Sequence, residues 1–224
     1  MILYCIPTPL GGAPREALPG PAITTIRSLG DFVVENAKSA RAFLGALDMP
    51  VRELSIKVIG EERDPLAPLR EKRSLGLLSE AGSPAVADPG ATIVEQAHAE
   101  GYRVVPLIGP SSIVLALMAS GLEGQRFAFC GYLPRETAER GKRIRELELR
   151  SKRENETQIF IETPYRNEAL LSALLETCKP QTRLCVAADL TLPTESVTTK
   201  TTRDWRRAKA AIGKRPAVFL LLAD

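Results

Sequence analysis

Six carboxylates stand at the ends of apolar runs of strand length, where side chains could carry out acid–base chemistry. They are Glu35, Glu80, Asp88, Glu162, Asp189 and Glu195. The one histidine, His98, lies in a polar helical pattern and is interpreted as a surface residue. Without a second histidine, neither a Ser–His triad nor a histidine-based metal site is predicted. The residue types therefore favour neither metal nor nucleophilic chemistry.

The segments that follow these apolar runs are rich in Gly, Pro, Ser and Thr. They span residues 6–12, 79–90, 107–112, 131–134, 162–166 and 188–195. The chain lacks GxGxxG after its first strand and has no GxxxxGK[ST], so NAD or a nucleoside triphosphate held in the usual way is disfavoured. Ligands of open α/β sheets bind beyond the carboxyl ends of the strands. We therefore predict a cleft that encloses a ligand of moderate charge through backbone contacts.

Apolar runs of strand length alternate with helical patterns along most of the chain, which predicts parallel strands joined by helices. The runs are almost continuously apolar, as expected where helices cover both faces of a sheet. Residues 190–202 are instead rich in Thr and other β-branched residues, which predicts hairpin-like antiparallel strands. The sequence thus predicts two α/β domains: residues 1–110 with a mostly parallel sheet, and residues 111–224 with a mixed sheet.

Composition limits the class of protein. The 224 residues carry a net charge of +3, which permits an anionic partner without requiring one. No apolar stretch reaches the ~18 residues of a membrane span, and the N-terminal MILYCIPTP is interpreted as a first strand rather than a signal peptide. We expect a cytoplasmic protein whose cysteines form no CxxC pair and are reduced, buried thiols. They are Cys5, Cys130, Cys178 and Cys185.

Residues 135–156 form the most highly charged stretch. Its pattern predicts an amphipathic helix with Ile144, Leu147 and Leu149 on the buried side. Contact between its arginines and an RNA backbone is the alternative interpretation.

Seven segments, in order, carry a family resemblance: LYCIPTPLGG, SEAGSPAVADPG, GYRVVPLIGPSSIVLALMASGL, RFAFCGYLP, IFIETPYR, ADLTLPTES and PAVFLLLAD. With them the chain resembles the tetrapyrrole methylase superfamily of S-adenosylmethionine-dependent methyltransferases. Within it, the chain is most similar to the branch that methylates the ribose 2′-oxygen of ribosomal RNA. The resemblance implies two α/β domains with the cofactor in a cleft between them, and a homodimer.

The resemblance also implies which residues bind the cofactor. The backbone of SEAGSP would contact the methionine part, and a larger side chain at Ala81 or Gly82 would occupy the cofactor's volume. Glu162 and Leu190 match positions that enclose the adenosine. The other matching positions are Pro9, Ser83, Val86, Ser111 and Ser112, of which the two serines begin a helix with free N–H groups.

One element departs from the ribose-methylating branch. The branch has an acidic residue followed by Asp-Thr-Arg-His after its second strand, whereas this chain has Glu35-Asn36-Ala37-Lys38-Ser39. Glu35 keeps the acid and Lys38 replaces the arginine, so these two are the candidate catalytic residues. Gly12 stands where the branch has asparagine.

Three functions remain open from the sequence. The first is a methyltransferase acting on RNA, and the second is a methyltransferase of a small heterocyclic or tetrapyrrole-like metabolite. The third is a catalytically silent protein that binds S-adenosylmethionine and works through a partner.

Overall fold

The computed structural model describes residues 1–208 and 211–224. In it the chain forms two units, Met1–Ser111 and Ser112–Asp224. The helices described here do not include one long and apolar enough to cross a membrane.

The first unit is a five-stranded sheet with helices on both faces, and all neighbouring strands are parallel. The strand order is β3-β2-β4-β1-β5. Its elements are β1 (Ile2–Ile6), α1 (Pro14–Ala17), α2 (Gly20–Arg27), β2 (Asp31–Val34), α3 (Ala37–Ala46), β3 (Ser55–Val58), α4 (Ala67–Arg70), β4 (Leu75–Leu78), α5 (Gly90–Ala99) and β5 (Arg103–Pro106).

Successive side chains of β2 point to opposite faces of the sheet and so belong to two separate hydrophobic cores of this unit. Phe32 packs with α2 and α3 on one face, and Val33 packs with α4 and α5 on the other. Every residue of β2 and β4 is buried. These strands are therefore continuously apolar because helices cover both faces of the sheet, as the sequence predicted.

The second unit is a mixed five-stranded sheet of order β6-β7-β10-β8-β9. β6 and β7 are parallel, and the other neighbours are antiparallel. Its elements are α6 (Ser112–Ser120), β6 (Phe127–Tyr132), α7 (Thr137–Glu154), β7 (Thr157–Glu162), the 3₁₀ turn Pro164–Arg166, α8 (Asn167–Thr177), β8 (Arg183–Ala188), β9 (Ser196–Thr201), α9 (Thr202–Ala208) and β10 (Ala217–Leu222).

The core of the second unit lies between this sheet and helices α7, α8 and α9. The rings of Phe160 and Phe219 stack with centroids 6.0 Å apart, and Leu170 and Leu174 of α8 pack in the same cluster. The predicted fold class, a parallel sheet followed by a mixed sheet, is confirmed.

The structure corrects two details of the predicted elements. Residues 190–195 form a loop rather than a strand, and only 196–201 pairs, as β9, with β8. Leu149 is 61% exposed, because the buried face of α7 continues from Ile144 and Leu147 to Glu148 instead. The Glu148 carboxylate is satisfied there by the Lys179 N–H at 2.7 Å.

All four cysteines are free thiols, but they are not equally buried. Cys178 and Cys185 are buried, whereas Cys5 and Cys130 are half-buried. Burial raises the pKa of the Cys178 thiol to about 12. At Cys5, burial and then the negative charge of Asp88 raise the thiol pKa.

Close packing around Gly76, at the centre of the first sheet, leaves no room for a side chain at this position. A Cβ there would lie 2.6 Å from Phe32 Cδ1 and 2.8 Å from Ile6 Cδ1. We expect Gly76→Ala to lower the free energy of unfolding of this unit by about 1–3 kcal/mol. Urea titration followed by far-UV circular dichroism measures this, while the fluorescence of Trp205 reports separately on the second unit.

Gly45→Ala in α3 is the matched control, because its added Cβ would meet Val51 Cγ2 at an ordinary 3.6 Å. It should leave stability unchanged or raise it by up to about 1 kcal/mol. Equal stability of the two variants would contradict the packing described around Gly76.

Candidate functional site

The loop after β4 is tied to the segment after the neighbouring strand β1. Thr8 N–H donates to Gly82 O at 2.9 Å, and Gly82 N–H donates to Thr8 O at 3.0 Å. Ser79 Oγ also donates to Gly82 O at 3.0 Å. Gly82 has φ +78°, a conformation that glycine adopts without steric cost. Its residue type therefore has a backbone cause, separate from any ligand.

The same loop contains two alanines in the left-handed region. Ala85 and Ala87 both have φ 65°, which costs roughly 1–2 kcal/mol per residue. Asp88 Oδ1 accepts hydrogen bonds from Ala85 N–H at 2.9 Å and Gly90 N–H at 2.7 Å. Bonds to a charged acceptor contribute about 1.5–3 kcal/mol each, enough to offset the strain. Val86, between the alanines, is held 47% exposed to solvent.

The loop after β8 in the second unit repeats this backbone pattern. Asp189 has φ 53° and Thr191 has φ 72°, which is rare for a β-branched residue. Thr194 Oγ1 donates to Asp189 Oδ2 at 2.9 Å, and Thr191 N–H donates to Glu195 Oε2 at 2.7 Å. Leu190, between the two left-handed residues, is only 8% exposed. Strained backbone of this kind is concentrated at ligand-binding sites.

The candidate catalytic residues Glu35 and Lys38 lie where β2 gives way to α3. Glu35 Oε2 accepts the N–H of Glu80 at 3.0 Å, so the carboxylate bridges from β2 to the loop after β4. Lys38 is exposed, and its backbone N–H donates to Asn36 Oδ1 at 2.9 Å. Among the described residues no ion pair joins Glu35 to Lys38. Asn36 is the N-cap of α3, a structural role that the sequence motif did not indicate.

A pocket of about 290 Å³ opens beside these residues within the first unit. Gly11 and Gly12 line one part of it, and Phe43 belongs to its apolar lining. Ser39 and Glu80 contribute polar groups, with Ser39 Oγ 3.5 Å from Glu80 Oε1. Of the predicted cofactor-binding residues, Pro9 lines this pocket, whereas Ala81, Gly82, Ser83 and Val86 do not.

Glu162 is turned away from solvent. Its side chain is 1% exposed, and its Oε1 accepts hydrogen bonds from Thr163 N–H at 2.7 Å and Arg166 Nε at 2.9 Å. Oε2 is buried without a partner among the described residues. The Glu162 side chain thus holds the turn after β7, and only its rearrangement would let the carboxylate meet a ligand.

The remaining residues predicted to bind the cofactor make few hydrogen bonds through their side chains. Ser112 begins α6 and Ser111 precedes it, and both are half-buried. Ser83 Oγ donates to Pro110 O at 3.3 Å, and Ala81 is exposed.

Most of the six strand-end carboxylates therefore accept hydrogen bonds from backbone N–H groups of the loops. Glu35, Asp88, Glu162 and Glu195 each accept a backbone N–H, and Asp189 accepts the Thr194 hydroxyl. In residues 1–208 and 211–224 no cluster of three His, Cys, Asp or Glu side chains could hold a metal ion. The arrangement offers a ligand exposed backbone and small or apolar side chains.

Residues 47–205 match the family model of the tetrapyrrole (corrin/porphyrin) methylases. The chain belongs to this family. The resemblance inferred from the sequence motifs is confirmed.

Curated relatives of this family member are named ribosomal RNA small subunit methyltransferase I. The Bacillus subtilis protein is 35% identical over 178 residues, which cover 78% of this chain and 59% of the relative. The Halalkalibacterium halodurans protein is 32% identical over 77% of this chain and 59% of its own length. The Mesorhizobium japonicum protein is 33% identical over 90% of this chain and 67% of its own. The chain thus spans about 59% of the length of the first two.

Solved structures of tetrapyrrole methylases share the fold. A Thermus thermophilus uroporphyrin-III-C-methyltransferase matches with a TM-score of 0.59 and 21% identity, covering 99% of this chain and 94% of its own. The methyltransferase CobJ matches with a TM-score of 0.64 and 18% identity, covering 99% and 93%.

The carboxylate of Asp88 should determine the order of the loop after β4. We expect Asp88→Ala to leave two N–H groups without their acceptor and to destabilise the loop by about 1–3 kcal/mol. Hydrogen exchange followed by mass spectrometry should show faster exchange in a peptide covering 79–90. Asp88→Asn, which keeps an oxygen acceptor, should show a smaller effect, and Glu95→Ala on the exposed face of α5 none. Wild-type exchange in Asp88→Ala would mean that the loop holds its shape without the carboxylate.

Proposed function

We propose that this protein is an S-adenosylmethionine-dependent methyltransferase that acts on RNA, at a ribose 2′-oxygen. Membership of the tetrapyrrole methylase family and the names of the curated relatives support this proposal. The observation that carries it in the structure is the loop after β4. There Asp88 holds a strained backbone that presents Val86 to solvent at the carboxyl edge of the sheet.

The loop residues fit a cofactor that is recognised mainly through backbone and apolar contacts. Ala81 is small and exposed, and Val86 offers an apolar side chain that is half-exposed on a fixed backbone. We propose that these two, with Pro9, Gly82, Ser83 and Ser111 of the same unit, bind S-adenosylmethionine. The cofactor, when bound, supplies a methyl group on a positively charged sulfur.

In this proposal Glu35 and Lys38 act on the methyl acceptor. Glu35 uses Oε2 to hold the Glu80 N–H, which leaves Oε1 to accept or orient the proton of a hydroxyl. The exposed ammonium of Lys38 would contact a phosphate of the RNA. The fixed position of Glu35 between β2 and the loop after β4 would align the acceptor oxygen, which is the main requirement of a direct transfer.

The pocket beside Ser39 and Glu80 bears on the choice of acceptor. Its volume of about 290 Å³ lies at the lower end of the range for ligand pockets. This size favours one nucleoside-sized group over a tetrapyrrole macrocycle. A small heterocyclic metabolite remains the second candidate, because it would fill the same volume. The homodimer and the cytoplasmic location stay predictions.

Methyl transfer to RNA tests the proposal. The protein, incubated with S-adenosylmethionine labelled in its methyl group and small-subunit ribosomal RNA transcribed in vitro, should label the RNA in an alkali-resistant dinucleotide. Glu35→Gln should slow transfer by roughly 10²–10⁴-fold. Lys38→Ala should mainly raise KM for the RNA, because it removes a phosphate contact.

Glu95→Gln on α5 is the matched control and should transfer at the wild-type rate. Label in a small-metabolite fraction but not in RNA would favour the second candidate. Cofactor binding without any transfer would favour a catalytically silent protein, and wild-type rates in both variants would refute the roles of Glu35 and Lys38.

A further inference from the structure

An exposed aromatic ring with a cation over it lies beyond the carboxyl end of β7 in the second sheet. Tyr165, in the 3₁₀ turn after β7, is 81% exposed. The ammonium of Lys214 lies 5.1 Å from the centroid of its ring. No carboxylate of the described residues forms an ion pair with Lys214. The ring and the charge are therefore both open to a ligand.

Buried hydrogen bonds fix the Tyr165 side of this pair. Glu162 accepts from Thr163 N–H at 2.7 Å and from Arg166 Nε at 2.9 Å, so the residues on either side of Pro164 and Tyr165 are anchored. Arg166 N–H also donates to Thr163 O at 2.9 Å. Tyr165 is thus exposed on an ordered turn, and placing a partner against it would cost little conformational entropy.

The Lys214 side is anchored to the helix that follows Tyr165. Glu168 Oε1 accepts Ile212 N–H and Gly213 N–H, each at 2.7 Å. Asn167 Nδ2 donates to Arg215 O at 2.7 Å. Both Asn167 and Glu168 belong to the first turn of α8, directly after the Tyr165 turn. One short segment therefore sets the position of the ring and of the cation.

A second exposed tyrosine lies at the same edge. Tyr132 ends β6 and is 55% exposed. It pairs with Ile161 of the neighbouring parallel strand β7, after an irregularity in the register that follows Phe129. Two aromatic rings therefore leave the carboxyl ends of adjacent strands.

We propose that Tyr165 and Lys214 form a stacking platform for one nucleotide of a single-stranded RNA, with Tyr132, at the end of the adjacent strand, as a second ring for another nucleotide. Lys214 covers one face of the tyrosine ring, and a base would stack on the other face while the ammonium attracts a phosphate of the adjoining backbone. A duplex would not bind in this way, because its bases are already stacked on each other. This inference rests on the proposed function and identifies residues of the second unit that would hold the substrate RNA.

Fluorescence anisotropy with a labelled mixed-sequence single strand of about 12 nucleotides tests the platform. Tyr165→Ala should weaken binding roughly 5- to 100-fold, and Tyr165→Phe should bind as wild type because stacking needs only the ring. Between about 50 and 200 mM salt, Lys214→Ala should make the slope of log K against log salt shallower by about 0.7. Calorimetric binding of S-adenosylmethionine by each variant is measured in parallel and should be unchanged.

Two controls make the result specific. Phe127→Ala removes an exposed ring at the amino end of β6, and Lys142→Ala removes an exposed charge on α7; neither should change the affinity as Tyr165→Ala does. Wild-type RNA affinity in Tyr165→Ala, equal binding of a duplex, or joint loss of RNA and cofactor binding would overturn the platform. A wild-type protein that binds S-adenosylmethionine but not this RNA overturns the platform alone. One that binds neither overturns the proposed function with it.

Discussion

Backbone N–H groups at the carboxyl edge of each sheet need acceptors, and in this protein carboxylates supply them. Asp88 does so most directly, because one of its oxygens holds two N–H groups of a loop with two left-handed alanines. The bonds and the strain are of similar size, so the carboxylate stabilises the strained part of the loop. Val86 and the neighbouring backbone are presented to solvent as a consequence.

This use of carboxylates determines what the edge can bind. Side chains that could have served acid–base chemistry hold loops instead, as Glu195 does for Thr191 and Glu162 does for the turn before Arg166. A ligand at these loops therefore meets exposed backbone and apolar groups more than free charge. S-adenosylmethionine, whose transfer reaction requires alignment more than covalent assistance, matches such a surface. Glu35 can both hold a loop and take part in acid–base chemistry, because one oxygen accepts the Glu80 N–H and the other is left for a substrate proton.

The sequence was sufficient for the architecture, because continuous apolar runs separated by helical patterns have few solutions besides a helix-covered parallel sheet. It also indicated that Gly82 is special, although the structure assigns this to a positive φ. The inward orientation of Glu162 was missed, because the turn after β7, and not a helical spacing, brings Arg166 to its carboxylate. The prediction for Leu149 was wrong because it depended on which residues of a long charged helix face the core. A charged residue, Glu148, lies on that buried face, so the apolar pattern alone did not locate it.

Calorimetric titration of the protein with S-adenosylmethionine shows whether the loop after β4 binds this cofactor. Gly82→Leu would place a side chain in the loop, whereas Gly60→Leu imposes a similar backbone strain at φ +87° in open space. We expect roughly micromolar binding by the wild type and by Gly60→Leu, and none by Gly82→Leu. No binding by the wild type, or equal binding by both variants, would contradict a cofactor site at this loop.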